Sequence, residues 1–149
     1  MKVLFACTAN ACRSQMAEAW ARQLFPAGWS VASCGLLPHT VSRRARWVMA
    51  EAGVPMEGQE SKTFASLDLA SFDLIVSLSE EAGRFLPLPG DSPRHVRLPI
   101  IDPMEAEGSP DEVRAAFRRC REQIRAIVAD VVAGRIRPGV GDGGGDPSQ

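Results

Sequence analysis

Val3-Leu4-Phe5-Ala6-Cys7-Thr8-Ala9-Asn10-Ala11-Cys12-Arg13-Ser14 is the stretch on which the fold of this chain turns. Residues 3–6 form an unbroken apolar run, the mark of a buried strand. Residues 15–24 carry a helical pattern. A cysteine therefore stands at the carboxyl end of a strand, and an arginine opens a helix six positions later. This arrangement holds a tetrahedral oxyanion against a thiolate. Backbone N–H groups of the loop and of the helix start bind the anion. The planar fork of Arg13 grips two of its oxygens. The same positive field favours the nucleophilic thiolate form of Cys7. Taken alone, Cys7 reads as a small buried hydrophobe at a strand end. With Asn10, Arg13 and Ser14 at these offsets, the catalytic reading is the stronger. A Walker A loop is excluded, because the loop has neither its glycines nor its lysine.

Working outward, strand and helix patterns alternate along the chain. Lys2 to Ala6 read as a strand and Ser14 to Phe25 as a helix. Gly28 breaks the pattern before a second strand over 29–33. Residues 42–52 are helical, with Ala45, Val48, Met49 and Ala52 on one face and Gly53 as the stop. Residues 72–78 make a buried strand. A short helix over 80–85 follows, stopped by Pro87, and 94–98 read as a short fourth strand. Ser109-Pro110-Asp111-Glu112 is a helix start, with Ser at the N-cap, Pro at the first position and Glu at the third. That helix runs to about Val132 and closes at Gly134. The pattern predicts an α/β fold: one three-layer domain over 1–137, a four-stranded parallel sheet with helices on both faces. The Gly- and Asp-rich tail over 138–149 is expected to be disordered. In such sheets the site lies beyond the carboxyl ends of the strands, where Cys7 stands.

A chain of 149 residues can bury one real core. Its net charge of −1 gives no bulk attraction to nucleic acid or to an anionic membrane, so anion recognition must be local. Five apolar residues after Lys2 are too few for a signal peptide or a membrane span, and a cytoplasmic location is expected. Four cysteines without regular spacing point to a reduced compartment. Cys7 and Cys12 are not spaced as zinc ligands, and with only His39 and His95 elsewhere no metal site is expected. No cofactor is called for.

Asp102, in Ile100-Ile101-Asp102-Pro103, carries two readings. It is a turn former, since Asp-Pro is a common loop dipeptide. It is also a general acid for the leaving group of a thiol nucleophile, held extended by Pro103. Arg118, Arg119 and Arg121 read as a solvated helix face with acids interspersed, rather than an RNA platform. Trp20, Trp29 and Trp47 are expected in the core or at a pocket rim. His39 and His95 are expected in surface loops, and Cys120 is expected to be structural.

Residues 3–20, Val-Leu-Phe-Ala-Cys-Thr-Ala-Asn-Ala-Cys-Arg-Ser-Gln-Met-Ala-Glu-Ala-Trp, resemble the opening of the low-molecular-weight protein tyrosine phosphatase family, and within it the arsenate reductase branch. Gln15 and Met16 favour that branch. The likeness continues through Gly28-Trp29, Ser33 to Gly35, Val48-Met49, Ser61, Asp73 to Leu78, Asp102-Pro103 and the last helix. It implies a four-stranded parallel sheet with the nucleophile loop after its first strand. It further implies Cys7 as nucleophile, Arg13 as oxyanion binder and Asp102 as general acid. Thr8, Ala9, Asn10, Ala11 and Cys12 would form the oxyanion loop. Asn10 would stabilise its strained backbone, and Ser14 would hydrogen-bond the Cys7 thiolate.

Two departures from the family pattern stand out. Thioredoxin-coupled arsenate reductases carry two relay cysteines at positions that fall here on Ser79 and Leu86. Some members also bind potassium through residues matching Asn10, Glu18 and Ser33 plus a carboxylate. Here that carboxylate is replaced by Lys62, whose ammonium would take the cation's place, and no potassium site is expected.

The leading functional expectation is a cysteine-dependent phosphate monoester hydrolase acting on a small phosphomonoester or a phosphotyrosine protein. The family's stacking tyrosines after the Asp-Pro are missing, since the chain has no Tyr. The alternative is arsenate reduction, with an external small thiol or a glutaredoxin-type donor in place of an internal relay, or with Cys12 or Cys34 as resolver. A third class, an idle anion-binding regulator, is opposed by the complete Cys7, Arg13 and Asp102 set.

Overall fold

The period-2 alternation of the first strand organises the molecule. In the computed structural model, which describes residues 1–139, strand β1 spans Lys2–Cys7. Val3, Phe5 and Cys7 point into one buried cluster, and Leu4 and Ala6 point into another. A strand apolar on both sides must be central, and β1 is. The sheet order is β2-β1-β3-β4, all parallel, with β2 at Ser30–Gly35, β3 at Leu74–Ser77 and β4 at His95–Arg97.

Helices cover both faces, as expected. Helix α1 (Arg13–Leu24) buries Met16, Ala17 and Trp20 in the larger cluster. Helix α4 (Pro110–Val132) adds Phe117, Cys120, Ile124, Val128 and Val131 to it, and α2 (Arg43–Glu51) adds Ala45, Val48 and Met49. Helix α3 (Glu80–Phe85) brings Ala82 to the opposite face, where Leu86 and Phe72 join it. The start of α4 is the predicted capping box: Ser109 Oγ accepts from Glu112 N, and Glu112 Oε1 accepts from Ser109 N, each at 3.2 Å.

The tail expected from Pro138 onward lies, beyond Gly139, outside the described residues. Trp20 is buried, Trp29 is half-buried with its ring 5.2 Å from that of Phe25, and Trp47 is exposed under Arg114 and Arg118. Cys120 is buried, and Arg119 is exposed. Among the described residues no helix is long and apolar enough to cross a membrane.

His95 corrects an expectation. It is not a loop residue but the buried first residue of β4, with its Nε2 2.6 Å from Ser77 Oγ. Val96 turns to the larger core, so His95 must face the other side of the sheet, and Ser77 supplies the polar partner that burial requires.

Helices α2 and α4 are joined through Glu51. Arg118 Nε and Nη2 each donate to its carboxylate at 2.8 Å, and Arg121 Nη1 donates at 3.0 Å. The Arg118 fork, followed by Arg121, lowers the Glu51 carboxyl from its ordinary 4.5 to about 2. A carboxyl with a lowered folded-state value stabilises above its unfolded value and loses that contribution as the pH falls. Glu51→Gln should therefore lower Tm relative to the native chain at pH 6. The gap should shrink progressively as pH is taken from about 4.5 toward 2, and it should narrow in high salt. Thermal melts across that range check this; a gap independent of pH would contradict it.

Candidate active site

Strand β1 ends at Cys7, and residues 8–12 must then reverse the chain into α1 within a few ångströms of the sheet edge. Each carbonyl of that loop has a donor, from a crossing segment or from α1 itself. Thr8 O accepts from Leu36 N at 2.8 Å and Leu37 N at 3.2 Å. Ala9 O accepts from Ser61 Oγ at 3.0 Å, and Asn10 O from Gln15 Nε2 at 3.0 Å. Ala11 O accepts from Ser42 N at 2.8 Å, and Cys12 O from Met16 N at 2.9 Å. With its carbonyls committed to these donors, the loop has its amide N–H groups to offer an anion.

Asn10 is the pivot. Its φ is +51°, in the left-handed region that asparagine tolerates better than most residues. Its side chain is spent holding that shape. Nδ2 donates to Ser14 Oγ at 2.7 Å, and Oδ1 accepts from Gln15 Nε2 at 2.8 Å and Lys62 N at 3.0 Å. Gln59 Nε2 in turn donates to Gln15 Oε1 at 2.7 Å. On the other side Gly35 abuts the loop. A Cβ there would lie 2.6 Å from Asn10 N and 2.7 Å from the Ala9 carbonyl carbon.

Cys7 Sγ lies 2.9 Å from Ser14 Oγ. Asn10 donates to that hydroxyl, and the acceptors within reach of its proton are the Cys7 sulfur and, farther away, Cys34 O at 3.5 Å. Arg13 is buried; its Nη1 donates to Ile100 O at 3.0 Å, and its Nη2 lies 3.5 Å from Asp102 Oδ2. Asp102 also caps the short turn Pro103–Glu105, accepting from Met104 N at 2.9 Å. One carboxylate oxygen thus forms the turn while the other faces Arg13.

These side chains enclose a cavity of about 180 Å³, lined by Cys7, Thr8, Ala9, Ala11, Cys12, Arg13, His39, Asp102 and Met104. Asn10 and Ser14 stand buried behind it. The volume suits a tetrahedral oxyanion, with sulfur and guanidinium presented together. A neighbouring groove of about 430 Å³ shares Thr8, Arg13 and Asp102 and continues past Glu81 and Ile101. His39, expected only in a surface loop, is exposed and forms part of the cavity mouth.

The other residues singled out in the sequence take varied places around the cavity and beyond it. Cys34 points to the opposite face of the sheet, among Leu4, Ala6 and Ile75, and burial, followed by the charge of Cys7, pushes its thiol up to about 12. It does not line the cavity, and as a resolver it is set aside. Ser79 caps α3, accepting from Ala82 N at 3.1 Å, and also accepts from Thr8 Oγ1 at 3.1 Å. Leu86 is a buried core residue. Glu18 is buried against Ser33 Oγ at 2.8 Å and Arg22 Nη2 at 2.7 Å, with Lys62 Nζ at 3.8 Å, so an ammonium stands beside that carboxylate. Cys12 is held well above the ordinary thiol range, first by a hydrogen bond with Cys120 and then by burial.

The sequence matches the family described as low molecular weight phosphotyrosine protein phosphatase over residues 2–133. The chain is similar to the arsenate reductase of Halalkalibacterium halodurans, 37% identical over 122 residues that span 82% of this chain and 88% of the relative. It is likewise 37% identical to the arsenate reductase of Bacillus subtilis over 125 residues, with the same coverage of 82% and 88%. A solved structure of an arsenate reductase in the phosphate binding state superposes with a TM-score of 0.73 at 31% identity, covering 89% of this chain and 97% of that one. The low molecular weight protein tyrosine phosphatase from T. tengcongensis shares the fold, with a TM-score of 0.74 at 21% identity over 90% and 99% of the two chains.

The close approach of Gly35 is testable. Gly35→Ala should cost about 1–3 kcal/mol, the range for overpacking against backbone. It should also weaken binding of inorganic phosphate, measured by calorimetry, because the displaced atoms belong to the loop itself. Unaltered phosphate affinity would show that the loop does not depend on this contact.

Proposed function

Since the chain belongs to the low molecular weight phosphotyrosine protein phosphatase family, we propose that it hydrolyses phosphate monoesters through a covalent intermediate on Cys7. One observation carries this reading. The Cys7 sulfur and the Arg13 guanidinium open into the same oxyanion-sized cavity, with the Asp102 carboxylate at its rim. Cys7 attacks phosphorus, and the bond to the leaving oxygen breaks as Asp102 in its acid form protonates that oxygen. Asp102, now a carboxylate, takes a proton from water, which attacks the thiophosphate and releases inorganic phosphate and the Cys7 thiolate. Arg13 follows the equatorial oxygens in both steps through its planar fork. Ser14 donates to the sulfur whenever it carries charge, as its 2.9 Å approach allows.

The substrate is a small phosphomonoester or a phosphotyrosine protein. An aryl phosphate seated on Cys7 would meet Met104 at the mouth, in place of a stacking tyrosine. The four free thiols support a reducing compartment, and we place the protein in the cytoplasm.

The similarity to curated arsenate reductases favours a second reading. Arsenate has the shape and charge of phosphate and fits the same loop. Ser79 and Leu86 carry no relay thiol, so an external small thiol or a glutaredoxin-type donor would complete that reaction.

Cys7→Ser should abolish hydrolysis of p-nitrophenyl phosphate while inorganic phosphate still binds, because a hydroxyl ionises far less than a thiol at neutral pH. Retained turnover would sink the nucleophile assignment. Asp102→Asn should slow substrates with poor leaving groups by about 10²–10³-fold, within the range of general acid catalysis. Activated aryl phosphates should lose less. Equal losses for both would leave Asp102 only its turn-forming role.

A further inference from the structure

Three of the four cysteines fall on one side of the sheet. Cys7 and Cys12 both line the oxyanion cavity, and all three of Cys7, Cys12 and Cys120 belong to the same buried cluster. Cys12 is the N-cap residue of α1, and Cys120 sits on the buried stripe of α4 that packs on that helix. Both side chains are buried where the start of α1 packs on α4, and the Cys120 thiol is the largest influence on that of Cys12. The hydrolytic reading uses neither of them.

We propose that Cys120 is the terminal resolving thiol of a relay running from Cys7 to Cys12 to Cys120, so that oxidation arriving in the loop ends as a Cys12–Cys120 disulfide and Cys7 returns to its thiol. For its substrate the proposal rests on the arsenate reading; the relay itself does not. With arsenate, Cys7 displaces one oxygen as water and forms a Cys7–As(V) adduct. The Cys12 sulfur then attacks the Cys7 sulfur. The S–As bond breaks, its electron pair leaves with arsenic as arsenite, and the Cys12 proton passes to an arsenite oxygen. Cys120 next attacks Cys12 and transfers its proton to the departing Cys7 sulfur. The two electrons taken by arsenic are balanced by the one disulfide left behind.

A hydroperoxide enters the same relay without arsenic. With hydrogen peroxide the Cys7 thiolate becomes a sulfenic acid as hydroxide leaves, and Cys12 condenses with it, releasing water. The raised range of Cys12 keeps it protonated and unreactive at rest, until an electrophilic sulfur stands next to it. Because Cys12 lines the cavity, an external small thiol can reach the final disulfide through the emptied pocket and expel Cys120. This gives the chain an internal relay where Ser79 and Leu86 offer none.

The test uses the full chain, freshly reduced and then freed of reductant, in two arms. One receives excess arsenate and the other a single equivalent of hydrogen peroxide. Free thiols are then alkylated and the disulfides are mapped by peptide mass spectrometry. A Cys12–Cys120 disulfide with Cys7 alkylated is the expected result in both arms, with one arsenite released per chain in the first. Cys120→Ala should hydrolyse p-nitrophenyl phosphate normally before oxidation. After peroxide it should retain a Cys7–Cys12 disulfide and lose roughly tenfold or more in rate until a dithiol is added, because its trapped nucleophile has no internal escape. A Cys12–Cys120 disulfide in the peroxide arm, with no arsenite in the other, would defeat the arsenate reading and leave the relay standing. Accumulation of Cys7–Cys12 in the native chain with Cys120 alkylated would overturn the relay. So would oxidation of Cys7 to its higher acids with no disulfide at all.

Discussion

The left-handed backbone of Asn10 is the constraint on which the rest of the site depends. A loop that curls tightly enough to aim successive amides at one point must place a residue where side chains are strained. Here that residue is Asn10, at φ +51°, and its own amide group is committed to maintaining the turn. The sulfur, the hydroxyl that serves it and the loop are thus one hydrogen-bonded unit. Asn10 Nδ2 fixes Ser14, and Ser14 is fixed 2.9 Å from Cys7. Moving any member would disturb both the anion cradle and the nucleophile. The outer support comes from distant segments: Gly35 at the end of β2, and Gln59, Ser61 and Lys62 in the chain that crosses the loop.

This economy explains what was legible in the sequence. The strand, loop and first helix were readable because their signals are local: an apolar run, a cysteine, an arginine and a 3.6-residue pattern. The ends of α4 were readable for the same reason, since a capping box and a terminal glycine are written in adjacent residues. Asp102 was visible only as two competing roles; the turn is formed by one carboxylate oxygen, and the other faces Arg13, a neighbour the sequence does not place beside it. The supports of the loop were not readable as supports. Gln59 meets Gln15 across 44 positions, and Ser61 meets Ala9 across 52. A buried glutamine in a first helical turn was the available hint, because such an amide must find partners. His95 misled although it falls within the strand expected over 94–98, because a histidine flanked by an arginine is more readily read as exposed than as buried. Its burial follows from which face Val96 takes, and that is decided by the pairing of β4 with β3.

The two proposed chemistries would share this cradle and differ only in what attacks second. A phosphoryl group on Cys7 is resolved by water at phosphorus. An arsenic adduct is resolved by a thiol at sulfur, because arsenic accepts the electron pair that phosphorus does not. The loop cannot discriminate between them, since phosphate and arsenate present the same tetrahedron to the same donors. Discrimination must come from the cavity's other walls. Asp102, Met104 and Cys12 all line the cavity; in the proposed readings the first two would serve an ester with an organic leaving group, and Cys12 would serve a thiol exchange. Both walls are present in this chain, and neither obstructs the other. Cys34 sharpens the point. It is next to Gly35 and close to the loop in sequence register, yet strand alternation turns it to the far side of the sheet. One cysteine in the loop and another at the end of the second strand, near the same sheet edge, were both candidate partners of Cys7. The pleat of one strand separates them, leaving Cys12 facing the chemistry and Cys34 facing the core.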